Sequence, residues 1–139
     1  MFPLLRSGDI LLCSSSASCK VGDIILFKQD QELIAHRVLS LSPHLQSKGD
    51  WSLNLDKKSP PVLALVQAIK RGEKILIFTQ QNKKLKAWLA VFSARLQATT
   101  PRPERYLLRM IIWLLAQISL HLVFAVAPAN GNDVAHDLK

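Results

Sequence analysis

Short apolar runs divided by turn signals fill the first 80 residues and limit what this chain can fold into. The runs cover residues 9–13, 23–28, 32–41, 61–70 and 73–79. Gly-Asp pairs, a Gln-Asp-Gln stretch and a polar segment at 47–60 separate them. Closely spaced runs of this kind predict a mainly β domain, a small meander or β-barrel. Gly72 is expected at the turn of a hairpin between the last two runs.

From about residue 83 the apolar spacing becomes helical. Residues 83–100 carry apolar side chains every three or four positions, with lysines and Arg95 between them. This pattern predicts a basic amphipathic helix, suited to an anionic membrane surface or to a partner. An ordinary surface helix packed on the domain is an equally good interpretation. Pro101 and Pro103 then interrupt the chain.

A longer apolar segment at residues 107–127 is broken only by Arg109, Gln117, Ser119 and His121. Twenty-one helical residues extend about 31 Å, close to the ~30 Å hydrocarbon core of a bilayer. The segment therefore predicts a single transmembrane helix, with a buried helix of a globular core as the alternative. Gln117 and His121 are one turn apart. They are expected to face a partner helix, or to be tolerated in the membrane at a cost in free energy.

These patterns divide the chain into four parts: a β domain at 1–80, the basic helix and linker at 81–105, the membrane helix at 106–128, and a polar tail at 129–139. The net charge is +8, without the interleaved basic and aromatic residues typical of nucleic-acid binding, so no nucleic-acid partner is expected. Cys13 and Cys19 are expected to be free thiols. No metal or cofactor is predicted.

The residues with catalytic potential are a histidine and two aspartates. His36 lies in a strand-like run, where the period of two places it on one face with Ile34 and Val38. Asp50 and Asp56 stand six residues apart in a polar segment. Taken singly, a histidine between apolar neighbours is more often a core residue than a catalytic one, and the two aspartates fit a solvated turn.

The chain contains, in this order, MFPLLRSGD, VGDIILF, AHRV, KGD with a second Asp six residues on, and VLALVQAIKRGEKI. In their order, these motifs resemble the type I signal peptidase family, in its archaeal and endoplasmic-reticulum-type branch. The family pattern runs Ser-Met-x-Pro-x-Leu with Gly-Asp, Val-Gly-Asp-Ile, His-Arg-Val, Lys-Gly-Asp-Asn-Asn with Asp-Asp, and a Gly-Lys-Val strand. The likeness covers residues 1–79. Trp51-Ser52, Leu55 and Gln67-Ala68 depart from the pattern.

The resemblance implies a membrane-associated serine endopeptidase that cleaves precursor or leader peptides after small residues. It places His36 as the general base, Asp56 as the favoured residue to orient it, and Asp50 in support. An imidazole titrates near neutral pH, so it can take the serine proton and return it to the leaving amine. A third group, hydrogen-bonded to the other ring nitrogen, keeps the imidazole in the correct tautomer and orientation.

The family's nucleophilic serine directly precedes the Met of its first motif, so it is expected one position ahead of Met1. Ser7, Ser18 and the serines at 14–16 are expected to be loop or turn residues. One hypothesis is that the gene start was assigned at an internal Met codon. The alternative is a non-catalytic relative that binds peptides. A buried histidine beside carboxylates favours the first. A self-cleaving protease of the repressor type is a third hypothesis, but its usual Lys base and DNA-binding domain are not evident.

The membrane orientation conflicts with this family. Residues 83–109 contain seven Lys or Arg and one Glu, and such a basic flank predicts a cytoplasmic β domain. Signal peptidases hold their catalytic domain on the outer face. The sequence therefore predicts membrane association and leaves the side open.

Overall fold

The computed structural model describes residues 5–15, 18–56, 61–78, 83–97 and 99–124, with the backbone alone for 119–124. Within these ranges the fold is mixed α/β, a six-stranded antiparallel open sheet followed by two helices. The elements are β1 (Ile10–Ser14), β2 (Ile24–Gln29), β3 (Glu32–Ser40), β4 (Gln46–Lys48), β5 (Val62–Arg71), β6 (Lys74–Ile77), α1 (Lys83–Arg95) and α2 (Arg102–Phe124).

The sheet is ordered β1-β5-β2-β3-β4, and β6 pairs with β5 as well. Strand β5 is ten residues long. One of its edges pairs with β1, and the other pairs with β2 in its first half and with β6 in its second half. The predicted antiparallel strands are confirmed, but the barrel alternative is wrong. Strand β4 has three residues and pairs with β3 alone among the described strands, so the sheet stays open.

The five predicted runs correspond to β1, β2, β3, β5 and β6, with ends shifted by one or two residues. Gly72 has a φ of 59° at the predicted hairpin turn. Strand β4 was not predicted, because it lies mostly within the polar segment. Its residues Ser47 and Lys48 are nevertheless buried.

The two Gly-Asp pairs form turns that anchor later elements. In each turn the Asp carboxylate accepts the backbone N–H of the residue three positions earlier. Asp9 also pairs with Arg71, whose guanidinium holds the pKa of that carboxyl below its usual value. Asp23 pairs with Lys86 of α1 at 3.1 Å. Gly22 has a φ of 92°, and a Cβ there would lie 2.9 Å from the Lys86 backbone, so α1 packs directly on this turn.

Apolar side chains cover both faces of the sheet. Residues directly opposite each other on paired strands point to the same face. Ile25 pairs with His36, whereas Ile24 pairs with Arg37, so β3 places His36 and Arg37 on opposite faces. The His36 face packs Ile25, Phe27, Val38 and Leu65. The Arg37 face packs Ile24, Val66, Ile69 and Leu76 with Ala116 of α2.

The two helices pack against each other and against the sheet. Their shared core contains Leu89, Leu96, Leu108 and Ile112. Both predicted helices are thus confirmed as helices. Among the residues that the structure describes, none of the helices combines the length and apolarity that crossing a bilayer requires. Residues 125–128 of the predicted span and the predicted polar tail lie outside the described residues.

Two smaller expectations concern polar side chains. Cys13 and Cys19 are free thiols, as predicted. The Gln117 side-chain nitrogen is buried and has no hydrogen-bond partner within the described ranges. The His121 side chain lies outside the described residues. A partner helix at these two positions therefore stays a prediction.

Candidate active site

His36 and Asp56 form the centre of the candidate site. The Nδ1 atom of His36 lies 3.0 Å from Oδ1 and 2.9 Å from Oδ2 of Asp56. The His36 side chain is 21% exposed and that of Asp56 is 14% exposed, so the pair is mostly buried but still reaches solvent. Strand β3 supplies the histidine, and the segment after β4 brings the aspartate to it. The sequence-based preference for Asp56 over Asp50 as the partner of His36 agrees with this contact.

Ser47 joins the pair as a third member. It is buried on β4 opposite Val38, on the same face as His36. Its hydroxyl donates a hydrogen bond to Oδ2 of Asp56, and its carbonyl accepts the Asp56 backbone N–H at 3.1 Å. Ser47 therefore holds both the backbone and the carboxylate of Asp56. Sequence reasoning missed this residue because β4 was interpreted as part of a polar loop.

The other edge of the imidazole lies beside Gly49. With Nδ1 donating to Asp56, the lone pair of the neutral ring is on Nε2. No described side chain forms a hydrogen bond with Nε2. A Cβ on Gly49 would lie 3.2 Å from Nε2 and 3.4 Å from Cδ2 of His36. The ring is buttressed by the edge of Phe27, with centroids 5.5 Å apart.

The described serines do not complete a nucleophile–base pair with Nε2. Ser52 comes near, since its Cβ lies 3.7 Å from the point where a Gly49 Cβ would stand. Its hydroxyl, however, is engaged with the Asn54 backbone at 3.0 Å and 3.2 Å. Ser14 shares a row with His36 but is three strands away, or roughly 14 Å at the usual strand spacing. The predicted motif around Met1 lies outside the described residues up to Leu4.

Asp50, the third predicted site residue, does not contact His36. Its carboxylate accepts two hydrogen bonds from Arg37, at 2.7 Å and 2.8 Å. Both residues are 1% exposed. Arg37 also donates to the Gly22 carbonyl at 2.8 Å. Because Arg37 and His36 point to opposite faces, this ion pair ties the turn after β4 to the turn before β2 and does not belong to the histidine site.

Lys48 lies beside this ion pair and is also fully buried. Its ammonium donates to the Leu96 carbonyl just beyond the end of α1. Burial lowers the pKa of Lys48 to about 8, and the Asp50 charge opposes part of that shift. Lys48 thus fastens α1 to the sheet on the face opposite the histidine.

Comparison of the chain with protein-family models, with curated proteins and with solved structures finds no match. The site consists of a histidine whose Nδ1 contacts a carboxylate and whose Nε2 has no hydrogen-bond partner among the described side chains. Within the described residues, no group of three or more His, Cys, Asp and Glu side chains is arranged to hold a metal ion.

Proposed function

We propose that this protein is a serine endopeptidase of the signal-peptidase type, with His36 as general base. The observation that carries the proposal is the contact of both Asp56 carboxylate oxygens with Nδ1, while Nε2 lies beside Gly49 and has no hydrogen-bond partner among the described side chains. The likeness of residues 1–79 to this family supports the same assignment. A serine nucleophile can be activated by an adjacent general base, which a third group orients in turn.

In the proposed reaction, Nε2 of His36 removes the hydroxyl proton as the serine oxygen attacks the carbonyl carbon of the substrate. The imidazolium then protonates the amine as the peptide C–N bond breaks, which leaves an acyl-enzyme. Water, deprotonated by the same nitrogen, then attacks the acyl carbon. The bond from that carbon to the serine oxygen breaks, the acid product leaves, and the imidazolium returns its proton to the serine. Asp56 stabilises the imidazolium, and Ser47 holds the carboxylate in place. The family likeness assigns the nucleophile to the position directly ahead of Met1.

The substrate class follows from the sheet and from the likeness. An extended peptide can pair with an unpaired strand edge through main-chain hydrogen bonds. Edge strands β1 and β4 both offer such an edge. Precursor or leader peptides with small residues at the cleavage point are therefore the proposed substrates.

The test compares three chains: residues 1–139, the same chain with Met-Ser added ahead of Met1, and a matched control with Met-Ala added. A quenched fluorogenic peptide with alanines around the scissile bond reports cleavage. We expect turnover only from the serine-bearing chain. In that chain, His36→Ala and Asp56→Asn should each lower kcat by roughly 10³–10⁴-fold.

Two results would overturn the assignment. If His36→Ala leaves cleavage intact, the histidine is not the base. If chain 1–139 cleaves the peptide and Ser52→Ala abolishes that cleavage, the nucleophile is the described serine beside Gly49 and not one ahead of Met1.

The second candidate function is a peptide-binding module of the same fold without turnover. It is favoured by the absence of a serine hydroxyl on Nε2 among the described residues. Fluorescence anisotropy of the labelled peptide separates the two functions. Equal binding by the serine-bearing and alanine-bearing chains, with cleavage by neither, would favour the module.

A further inference from the structure

Helix α2 has apolar side chains on its outward side as well as on its packed side. We call the outward side the outer face; it consists of Tyr106, Leu107, Met110, Trp113, Leu114 and Ile118, which are 42–73% exposed. These positions recur at intervals of three and four residues, so they share one side of the helix. Leu108, Ile112 and Ala116 on the opposite side are at most 5% exposed.

The outer face carries no charged side chain over about four helical turns. A surface helix of a water-exposed protein normally turns charged and polar residues outward. Contiguous exposed apolar patches of this kind mark sites of interaction with a protein or a membrane. The outer face is therefore a candidate interaction surface.

The charge of the residues that lead into the outer face along the chain indicates what the partner is. Residues 83–109 contain seven Lys or Arg and one Glu. The exposed side of α1 presents Lys84, Trp88, Val91 and Arg95, with no acidic residue anywhere in that helix. Basic residues and tryptophan beside an apolar face are typical of helices that lie in the headgroup region of anionic membranes.

We propose that the outer face of α2 docks on the surface of an anionic lipid bilayer, with the helix axis parallel to the membrane plane. The packed side explains the orientation: Leu108, Ile112 and Ala116 are already occupied by the domain, so lipid can reach the helix from one side. The apolar side chains then enter the acyl boundary by about 5–10 Å. Exposed basic residues such as Lys84 and Arg95 contact lipid phosphates.

The same charges disfavour a second copy of this chain as the partner. Each copy carries a net charge of +8, and like charges oppose association. Anionic lipid instead supplies the complementary charge.

The test is sedimentation of the full chain with vesicles, either of zwitterionic phosphatidylcholine alone or with 30% phosphatidylglycerol. We expect binding to the anionic vesicles at least tenfold tighter than to the zwitterionic ones, and weaker at 0.5 M NaCl because salt screens the lipid charge. Lys84→Gln should weaken binding about fivefold.

The outer face is probed by the double variant Met110→Gln and Leu114→Gln. Both side chains are about half exposed, so the fold is expected to survive, and thermal melting checks this. We expect at least a tenfold loss of vesicle binding. The matched control is Leu63→Gln on β5, which is 51% exposed but lies away from the helices, and it should bind like the original chain.

A second readout is direct contact with acyl chains. Brominated lipids should quench the fluorescence component that Trp113→Phe removes. Absence of vesicle binding would overturn the proposal. So would a dimer in analytical ultracentrifugation that the double variant dissociates, since the partner would then be a second copy. None of these readouts depends on peptide cleavage.

Discussion

The buried Lys48 should make the stability of this fold depend on pH in the alkaline range. A lysine has its ordinary pKa of 10.5 in the unfolded chain, whereas burial lowers it to about 8 in the fold. Below pH 8 the side chain is charged in both states, and above pH 10.5 it is neutral in both. Between these values the unfolded chain binds more protons than the folded chain. The free energy of unfolding therefore rises with pH in this window.

The size of the effect follows from the shift. Each pKa unit corresponds to about 1.4 kcal/mol, so Lys48 should add up to about 3 kcal/mol between pH 8 and pH 10.5. The residue has no exposed side-chain surface, so solvent screening does not reduce this figure much. The nearby groups are Asp50, Arg37 and the Leu96 carbonyl.

The assay is urea unfolding at half-unit steps from pH 7.5 to pH 10.5, followed by circular dichroism. Lys48→Met is the comparison, because it keeps the length of the side chain and removes the titration. The two cysteines also titrate in this range, but they do so in both proteins and cancel in the difference. Equal pH profiles for the two proteins would refute the reasoning, because the lysine would then be charged in the fold throughout.

Three further predictions follow from single contacts. Arg37→Met should lower the free energy of unfolding by about 3–5 kcal/mol, since it leaves the Asp50 carboxylate buried without its partner; adding Asp50→Leu should restore much of the loss in urea unfolding. Gly49→Ala should lower kcat of the serine-bearing chain at least tenfold with little change in Tm, because the new methyl group would crowd Nε2 of His36; unchanged kcat would contradict an open Nε2 edge. Ile112→Ala should cost about 2–5 kcal/mol in the same unfolding assay, and a smaller cost than 1 kcal/mol would argue against packing of α2 on the domain.

Local sequence patterns predicted most of the secondary structure. The strand runs, the Gly72 turn and both helices depend on side-chain period and on turn chemistry within a few residues. Strand β4 was not predicted because its three residues are polar. Such a strand forms only because it can pair with the edge of β3. The open form of the sheet likewise depends on pairings between distant segments.

The candidate site was predicted in part. His36 and Asp56 were selected from the order of the motifs, and the structure brings them into contact. Asp50 was grouped with them because it is near in sequence. Its carboxylate instead binds Arg37, whose side chain lies on the face of β3 opposite His36. Ser47 could be recognised only after β4 was known.

Apart from β4, the sequence alone determined where strands, turns and helices form, since these depend on neighbours along the chain. It also determined that a histidine and two aspartates stand in an order that resembles a peptidase. Only the tertiary structure decided which aspartate meets the histidine, that Lys48 is buried, and which side of α2 is packed. The physical reason is that register and face are fixed by pairing and burial between segments far apart in the chain. A one-residue change in register moves a side chain to the opposite face of the sheet.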